Sequence, residues 1–204
     1  MKKWLLICTM VLAGCGLFAG ELPAAKHAPG GVEKFTGQFE KVATNQAQIP
    51  AFGYPPYLVT AGDAGHSTSM TLGWGTFGIL WQRPVANIYV RTTRYTNQFL
   101  AGSDLFTLSW YPAKHRPVVI QVFGRKSGRD TDKEAVSGFT PVLTPEGAVT
   151  YAEADLVLVC RKLFAVPLDK KTLAGLTPPA VPPTDAEWHI QYTAEVIAVY
   201  KKLE

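Results

Sequence analysis

From Tyr57 onward, the chain alternates short apolar runs with glycine- and proline-bearing breaks, the period-2 pattern of strands and turns. Residues 57–62 read as a strand closed by a glycine turn. Asp63-Ala64-Gly65-His66 then forms a tight loop that leads into residues 67–71. Residues 86–90 and 104–110 read as strands, and residues 139–143 and 147–152 as a strand–turn unit around Thr144-Pro145-Glu146-Gly147. Residues 155–167 form a long apolar strand, and residues 188–199 the closing one. Between these, Gly78-Ile79-Leu80-Trp81 reads as an apolar turn closed by Pro84, and residues 95–100 as a short helix stopped by Gly102. Residues 116–124, RPVVIQVFG, carry conflicting signals. Their β-branched content favours a strand, while Pro117 suits a first helical turn. Residues 32–50 hold a short strand and turn around Phe35, Phe39 and Val42, and residues 177–183 are a proline-rich loop. The pattern predicts a mainly β fold, a closed or split antiparallel barrel with a few helices.

The length of 204 residues suits one domain plus a short leader. The net charge of +4 is dispersed, without the Lys/Arg block that tracks nucleic acid, and no nucleic-acid partner is expected. At the N-terminus, Lys2-Lys3 precede a short apolar run and then Leu12-Ala13-Gly14-Cys15. A basic start and an apolar run too short to span a bilayer make an export signal. The tetrad resembles the bacterial lipobox, which implies cleavage before a lipidated Cys15 and a membrane anchor. The competing reading is cleavage after Ala19, although Leu17 fits the small-residue rule poorly. The expected division is a signal peptide with lipobox over 1–15, a tether and N-terminal extension over 16–50, and the folded domain over 51–204. Cys160 lies in an apolar strand and reads as a buried, inert thiol. His27, His66, His115 and His189 are dispersed without metal-ligand spacing.

The densest chemistry lies between Ser67 and Thr96. Hydroxyls and Met70 precede Gly73-Trp74-Gly75, and the strand over 86–90 ends in Arg91-Thr92-Thr93-Arg94-Tyr95-Thr96. Two arginine forks beside threonine hydroxyls suit a phosphate, and a helix opening at Tyr95 would add N–H donors. Trp74 and Trp81 offer flat aromatic surface. The ligand these residues describe is anionic at one end and flat and apolar at the other. Against this stands the plainer reading of a strand ending in solvated arginines.

Three segments, in this order and spacing, resemble the flavin reductase-like family, the FMN-binding split barrels related to flavoredoxin. Its (N/S)-x-M-T-x-x-W-G segment is matched by Ser67 to Gly75, and its G-x-L-W-x-x-P by Gly78 to Pro84. Its V-R-x-x-R-Y-T is matched by Val90 to Thr96. The resemblance extends over residues 52–199, through the S-G-R-D-x-D-K loop at Ser127 to Lys133 and the strand containing His189 and Tyr192. Ala194 stands where the family usually has glycine, which puts a close backbone approach there in doubt.

The resemblance implies an FMN-binding split β-barrel, a helix over residues 116–124, and a homodimer with flavin near the subunit interface. It implies FMN, with FAD as the alternative, held by Ser69, Met70, Thr71 and Trp74 around the ring. Arg91, Arg94, Tyr95 and Thr96 would hold the phosphate. Ser127, Arg129 and Lys133 are either further contacts to the flavin or a solvated loop of local ion pairs. His189 is either a flavin neighbour or a structural strand histidine. No acid–base residue is expected, because flavin carries the redox chemistry. Export would separate the protein from NAD(P)H, so an unidentified envelope donor and acceptor are expected. The alternative is an envelope lipoprotein that binds flavin or a similar ligand without turnover; a third, weaker reading is a structural lipoprotein with an empty pocket.

Overall fold

The computed structural model describes residues 32–35, 37–44, 49–50, 57–168 and 188–203; the expected leader and most of the expected tether lie outside them, as does the proline-rich loop. The strands are β1 (Glu33–Lys34), β2 (Phe39–Val42), β3 (Tyr57–Gly62), β4 (Ser67–Leu72), β5 (Gly75–Leu80) and β6 (Arg83–Arg91). They continue with β7 (Leu105–Trp110), β8 (Pro141–Leu143), β9 (Val149–Tyr151), β10 (Leu156–Leu168) and β11 (His189–Lys202). Helix α1 (Thr96–Gly102) follows β6, α2 (Arg116–Val118) follows β7, and α3 (Lys133–Ser137) precedes β8. A 3-10 turn (Ala113–His115) leads into α2, which runs on as a π turn (Val119–Gly124). The RPVVIQVFG conflict therefore resolves as helix: Pro117 occupies the first turn, where its missing N–H costs nothing.

The main sheet runs β4-β3-β7-β10-β11-β6-β5, with β2 added on β11. Its two ends, β4 and β5, are consecutive in sequence and joined only by Gly73 and Trp74. A flat sheet would put them about 29 Å apart at ~4.8 Å per strand, while three Cα steps reach only ~11 Å. The sheet must curl until its ends meet. No ladder joins β4 to β5 among the described residues, so the result is a barrel with an open seam.

Alternation then sorts the side chains. Tyr57, Val59 and Ala61 of β3, Phe106, Leu108 and Trp110 of β7, and Leu156, Leu158 and Cys160 of β10 fill the barrel interior. Leu58, Val157 and Val159 face outward into a second core with Val119, Phe123, Phe139 and Tyr151. A bulge at Ile197 shifts the β10–β11 register. Below it β11 pairs with β6, and above it with β2.

Of the expected apolar turn at residues 78–81, residues 78–80 are instead strand. Gly78, Ile79 and Leu80 pair with Val85, Pro84 and Arg83, and the turn itself is Trp81-Gln82. Both adopt left-handed φ, 50° and 62°, as a two-residue hairpin demands. Neither is Asn or Gly, so the turn carries none of the usual sequence marks. At the β3–β4 hairpin, Gly62 has φ 115°, and a Cβ there would collide with the His66 carbonyl.

A line of hydroxyls fastens β4, β3 and β7 to β9. Thr107 donates to the Val149 carbonyl (2.7 Å), and Ser109 pairs with Thr150 (2.8 Å). Thr60, Ser69 and Tyr151 form a chain with 2.8 Å links, and Tyr151 donates to Glu134 Oε1 at 2.9 Å. A carboxylate only accepts, so the chain has one direction: Thr60 donates to Ser69, Ser69 to Tyr151, and Tyr151 to Glu134. Burial and the nearby Glu134 charge both raise the Tyr151 phenol well above its ordinary range, keeping it protonated as the donor. Tyr151→Phe strands the Ser69 hydroxyl without its acceptor. Urea denaturation should show a loss of about 1–3 kcal/mol with the fold kept, and an unchanged midpoint would mean the chain contributes nothing net.

Candidate functional site

The site begins at the seam. Among the described residues, β4 has one strand neighbour, β3, so its other edge carries no ladder. The hairpin fixes which backbone groups face that edge. Asp63 N donates to His66 O (3.0 Å), making that pair the first hydrogen-bonded rung. In an antiparallel ladder such rungs alternate, so Thr68, Met70 and Leu72 bond to β3, while the N–H and C=O groups of Ser67, Ser69 and Thr71 point outward. The Lys133 ammonium confirms this direction by donating to Ser69 O at 2.8 Å and Phe123 O at 3.2 Å.

The expected ring-binding residues divide accordingly. The Ser69 hydroxyl is consumed in the chain to Tyr151, and Thr71 Oγ1 donates to Val119 O at 2.6 Å. With the Ser69 carbonyl taken by Lys133, what β4 offers a ligand is the outward N–H groups of Ser69 and Thr71. Met70 is half-buried and packs on the interior core.

Beside the seam lies the cationic corner. Thr92 N donates to Trp188 O (2.8 Å) and Arg94 N to Arg91 O (3.0 Å), so the turn after β6 is pinned to the start of β11. Helix α1 is held from the other side. Lys162 Nζ donates to Leu100 O and Ala101 O (both 2.8 Å), capping the last turn, and Tyr192 Oη donates to Asn97 Oδ1. The N–H groups of Asn97 and Gln98 are already given to Arg94 O and Tyr95 O. The free donors expected at the start of α1 are thus largely spent, and any anion there depends on side chains. Arg94 is exposed, Arg91 half-buried and Thr96 buried.

The loop containing Ser127 and Arg129 packs against this corner. The Arg129 guanidinium lies 5.4 Å from the Tyr95 ring centre, a cation–π distance. Burial raises the Tyr95 phenol and the Arg129 charge opposes that rise. Gly128 is needed here, because a Cβ would sit 2.5 Å from Thr68 Oγ1 and 3.2 Å from Tyr95. Ser127 Oγ accepts from Arg129 N (3.2 Å) and shapes the loop. Across the barrel mouth, His189 pairs with Arg91 on adjacent strands, and the Trp74 ring lies 5.0 Å from the His189 ring. Trp74 is 58 % exposed. The turn from Arg91 to Tyr95 thus joins two groups, Trp74–His189–Arg91 and Tyr95–Arg129–Thr68.

Several participants were not singled out in the sequence. Thr68, Gly128 and Glu134 are placed by contacts distant along the chain. His66 is buried edge-on to Phe99 at 4.9 Å, and among the described residues neither its ring nitrogens nor the adjacent Ser67 hydroxyl has a hydrogen-bond partner. Orphaned buried donors and acceptors beside an open strand edge and a cationic turn fit a large polar ligand with an anionic end. A flavin mononucleotide has that shape and charge. Arg91, Arg94 and Arg129 would face its phosphate, and the β4 edge and Trp74 its ring.

No curated protein matches the chain. Among solved structures it resembles flavoredoxin from Methanosarcina acetivorans at 21 % identity, covering 72 % of this chain and 68 % of that one with a TM-score of 0.56. An FMN-binding protein from Thermus thermophilus is similar at 19 % identity, with 77 % and 79 % covered and a TM-score of 0.56. The FMN-binding domain of a flavin reductases-like enzyme from Shewanella baltica gives 16 % identity, 80 % and 77 % covered, and a TM-score of 0.60. These likenesses establish the split-barrel fold. Because residues 49–203 match the family described as the flavin reductase like domain, the chain belongs to that family.

Proposed function

We propose that this protein binds FMN non-covalently and passes electrons or hydride through it. The observation that carries the reading is the turn that bears Arg91 and Arg94, with Arg129 packed on its Tyr95 and the unpaired edge of β4 beside it, in a chain of this family. When bound, the flavin supplies the redox chemistry. The chain's residues position the ring, neutralise the phosphate and shield one face with Trp74. The Thermus and Shewanella proteins are FMN-binding, which supports FMN over FAD here.

The reading includes a location. The Lys2-Lys3 start and the Leu12-Ala13-Gly14-Cys15 tetrad support an envelope lipoprotein, and hence an electron donor other than cytoplasmic nicotinamide. It also includes a homodimer. Ile79 and Trp81 at the β5–β6 hairpin are 73 % and 71 % exposed, and Trp81 lies 6.3 Å from exposed Phe164. Holding Trp81 at positive φ costs about 1–2 kcal/mol, a strain that displays a large apolar side chain outward.

Titrating the purified domain with FMN should give a shifted flavin spectrum that bleaches with dithionite. A spectrum that shifts but resists reduction would leave a binding protein, and no shift at all would remove the flavin reading. Arg94→Ala should weaken FMN binding about tenfold by loss of a charge-assisted bond, and equal affinity would mean the phosphate lies elsewhere. Light scattering should find a dimer that Ile79→Asp with Trp81→Asp dissociates; a wild-type monomer would refute it. Cys15→Ser should move the protein from the membrane fraction to the soluble fraction, and retention at the membrane would contradict lipid anchoring.

A further inference from the structure

Between Asp104 and Asp130 the chain carries Lys114, Arg116, Arg125, Lys126 and Arg129, all exposed, and no carboxylate. Beside α2 part of this charge is answered: burial raises the Asp155 carboxyl, and Lys202, His115 and Lys114 oppose the rise. Past the π turn the setting differs. Gly124 abuts β4, because a Cβ there would lie 3.2 Å from Thr71 Oγ1. Gly128 abuts the same strand, where a Cβ would lie 2.5 Å from Thr68 Oγ1. Exposed Arg125 and Lys126 stand between these two contacts, and so on the rim of the site. Arg129, packed on Tyr95, and exposed Arg94 continue the same rim. Neither Arg125 nor Lys126 takes part in an ion pair among the described residues. The carboxylates that follow are exposed Asp130 and Asp132, whose Oδ1 accepts from Ala135 N at 3.0 Å to cap α3. They offset only part of a rim that carries four cations.

We propose that this rim, with Arg125 and Lys126 at its centre, docks an acidic electron-carrier protein that delivers electrons to the flavin. This rests on the flavin reading above. The carrier gives up one electron per encounter. Two encounters and one proton from solvent convert the oxidised ring to its reduced anion, and two carriers leave oxidised. Charge of opposite sign around the mouth raises the rate of such encounters and orients them, more than it tightens the complex. A protein partner fits better than a lipid surface. No residue between 113 and 129 is among the exposed large apolar side chains, whereas peripheral lipid binding combines basic charge with an inserted apolar face. Charge without an apolar anchor suits the small, short-lived contacts of electron-transfer partners, which must separate after each transfer.

The test is stopped-flow bleaching of the FMN-loaded protein by a pre-reduced plant-type ferredoxin, used as an acidic one-electron probe. The wild-type rate should fall steeply as ionic strength rises from about 0.01 M to about 0.15 M, where the Debye length shrinks from ~30 Å to ~8 Å. Arg125→Glu with Lys126→Glu should slow the low-salt rate about tenfold and flatten its salt dependence. The same variant should hold FMN with wild-type affinity by fluorescence, since neither side chain belongs to the flavin site described above. A cytochrome c with a lysine-rich face, taking electrons from the reduced protein, should show the reverse: slow at low salt, and faster in the variant. A ferredoxin rate indifferent to salt, or equal in variant and wild type, overturns the proposal while leaving the flavin reading intact. Binding to phosphatidylglycerol vesicles that the charge reversal abolishes, with the ferredoxin rate unchanged, would assign the rim to lipid and overturn it as well. Failure of the wild type to bind FMN overturns both readings.

Discussion

The fold depends on a connection of two residues. Gly73 and Trp74 join the first strand of the main sheet to the last, so the sheet can form only as a barrel whose ends face each other. The same connection leaves the barrel unsealed, because β4 and β5 approach without forming a ladder. It also places Trp74 at the mouth of the gap, against His189. The open edge of β4 and the aromatic side chain beside it are thus two results of one constraint on chain length.

Around this seam the polar groups are arranged in two directions. On the outer face of β4 the hydroxyls of Ser69 and Thr71 are turned into the protein, toward Tyr151 and the Val119 carbonyl. Along its edge, the backbone of the same residues turns away from β3. The outer hydroxyls fix the position of the strand, Lys133 holds the Ser69 carbonyl at its edge, and the outward N–H groups meet no strand among the described residues. The cationic turn is set with similar care: Lys162 and Tyr192 hold α1 from the barrel side, which leaves Arg94 directed outward. An anchored scaffold that carries unspent donors at its rim is what a non-covalent cofactor site requires.

The strands were legible because period-2 alternation records burial directly. The interior set of Tyr57, Val59 and Ala61 against outward Leu58 appears in the sequence as it does in the fold. The helical reading of residues 116–124 came from family resemblance and Pro117, against β-branched composition, because packing on β4 outweighs local propensity there. The hairpin at Trp81-Gln82 was misplaced for the opposite reason: its turn residues lack the Asn-Gly signature of their conformation. Within the site, Arg91, Arg94 and Tyr95 stood out as a cationic, hydroxyl-bearing corner, and Arg129 through the family's loop motif; that Arg129 stacks on Tyr95 is visible only in the fold. The inward course of Lys133, in a loop read as either flavin contacts or solvated ion pairs, and the Ser69–Tyr151 bond across 82 positions left no local trace.

The central claim is that the outward backbone of β4 is where the ligand's ring is held. Residue-resolved amide exchange, with and without FMN, tests it most directly. Exchange of the Ser67, Ser69 and Thr71 amides should slow on FMN addition, whereas that of Thr68 and Met70, already bonded to β3, should change little. Equal slowing of all five, or protection that avoids β4 altogether, would contradict the account.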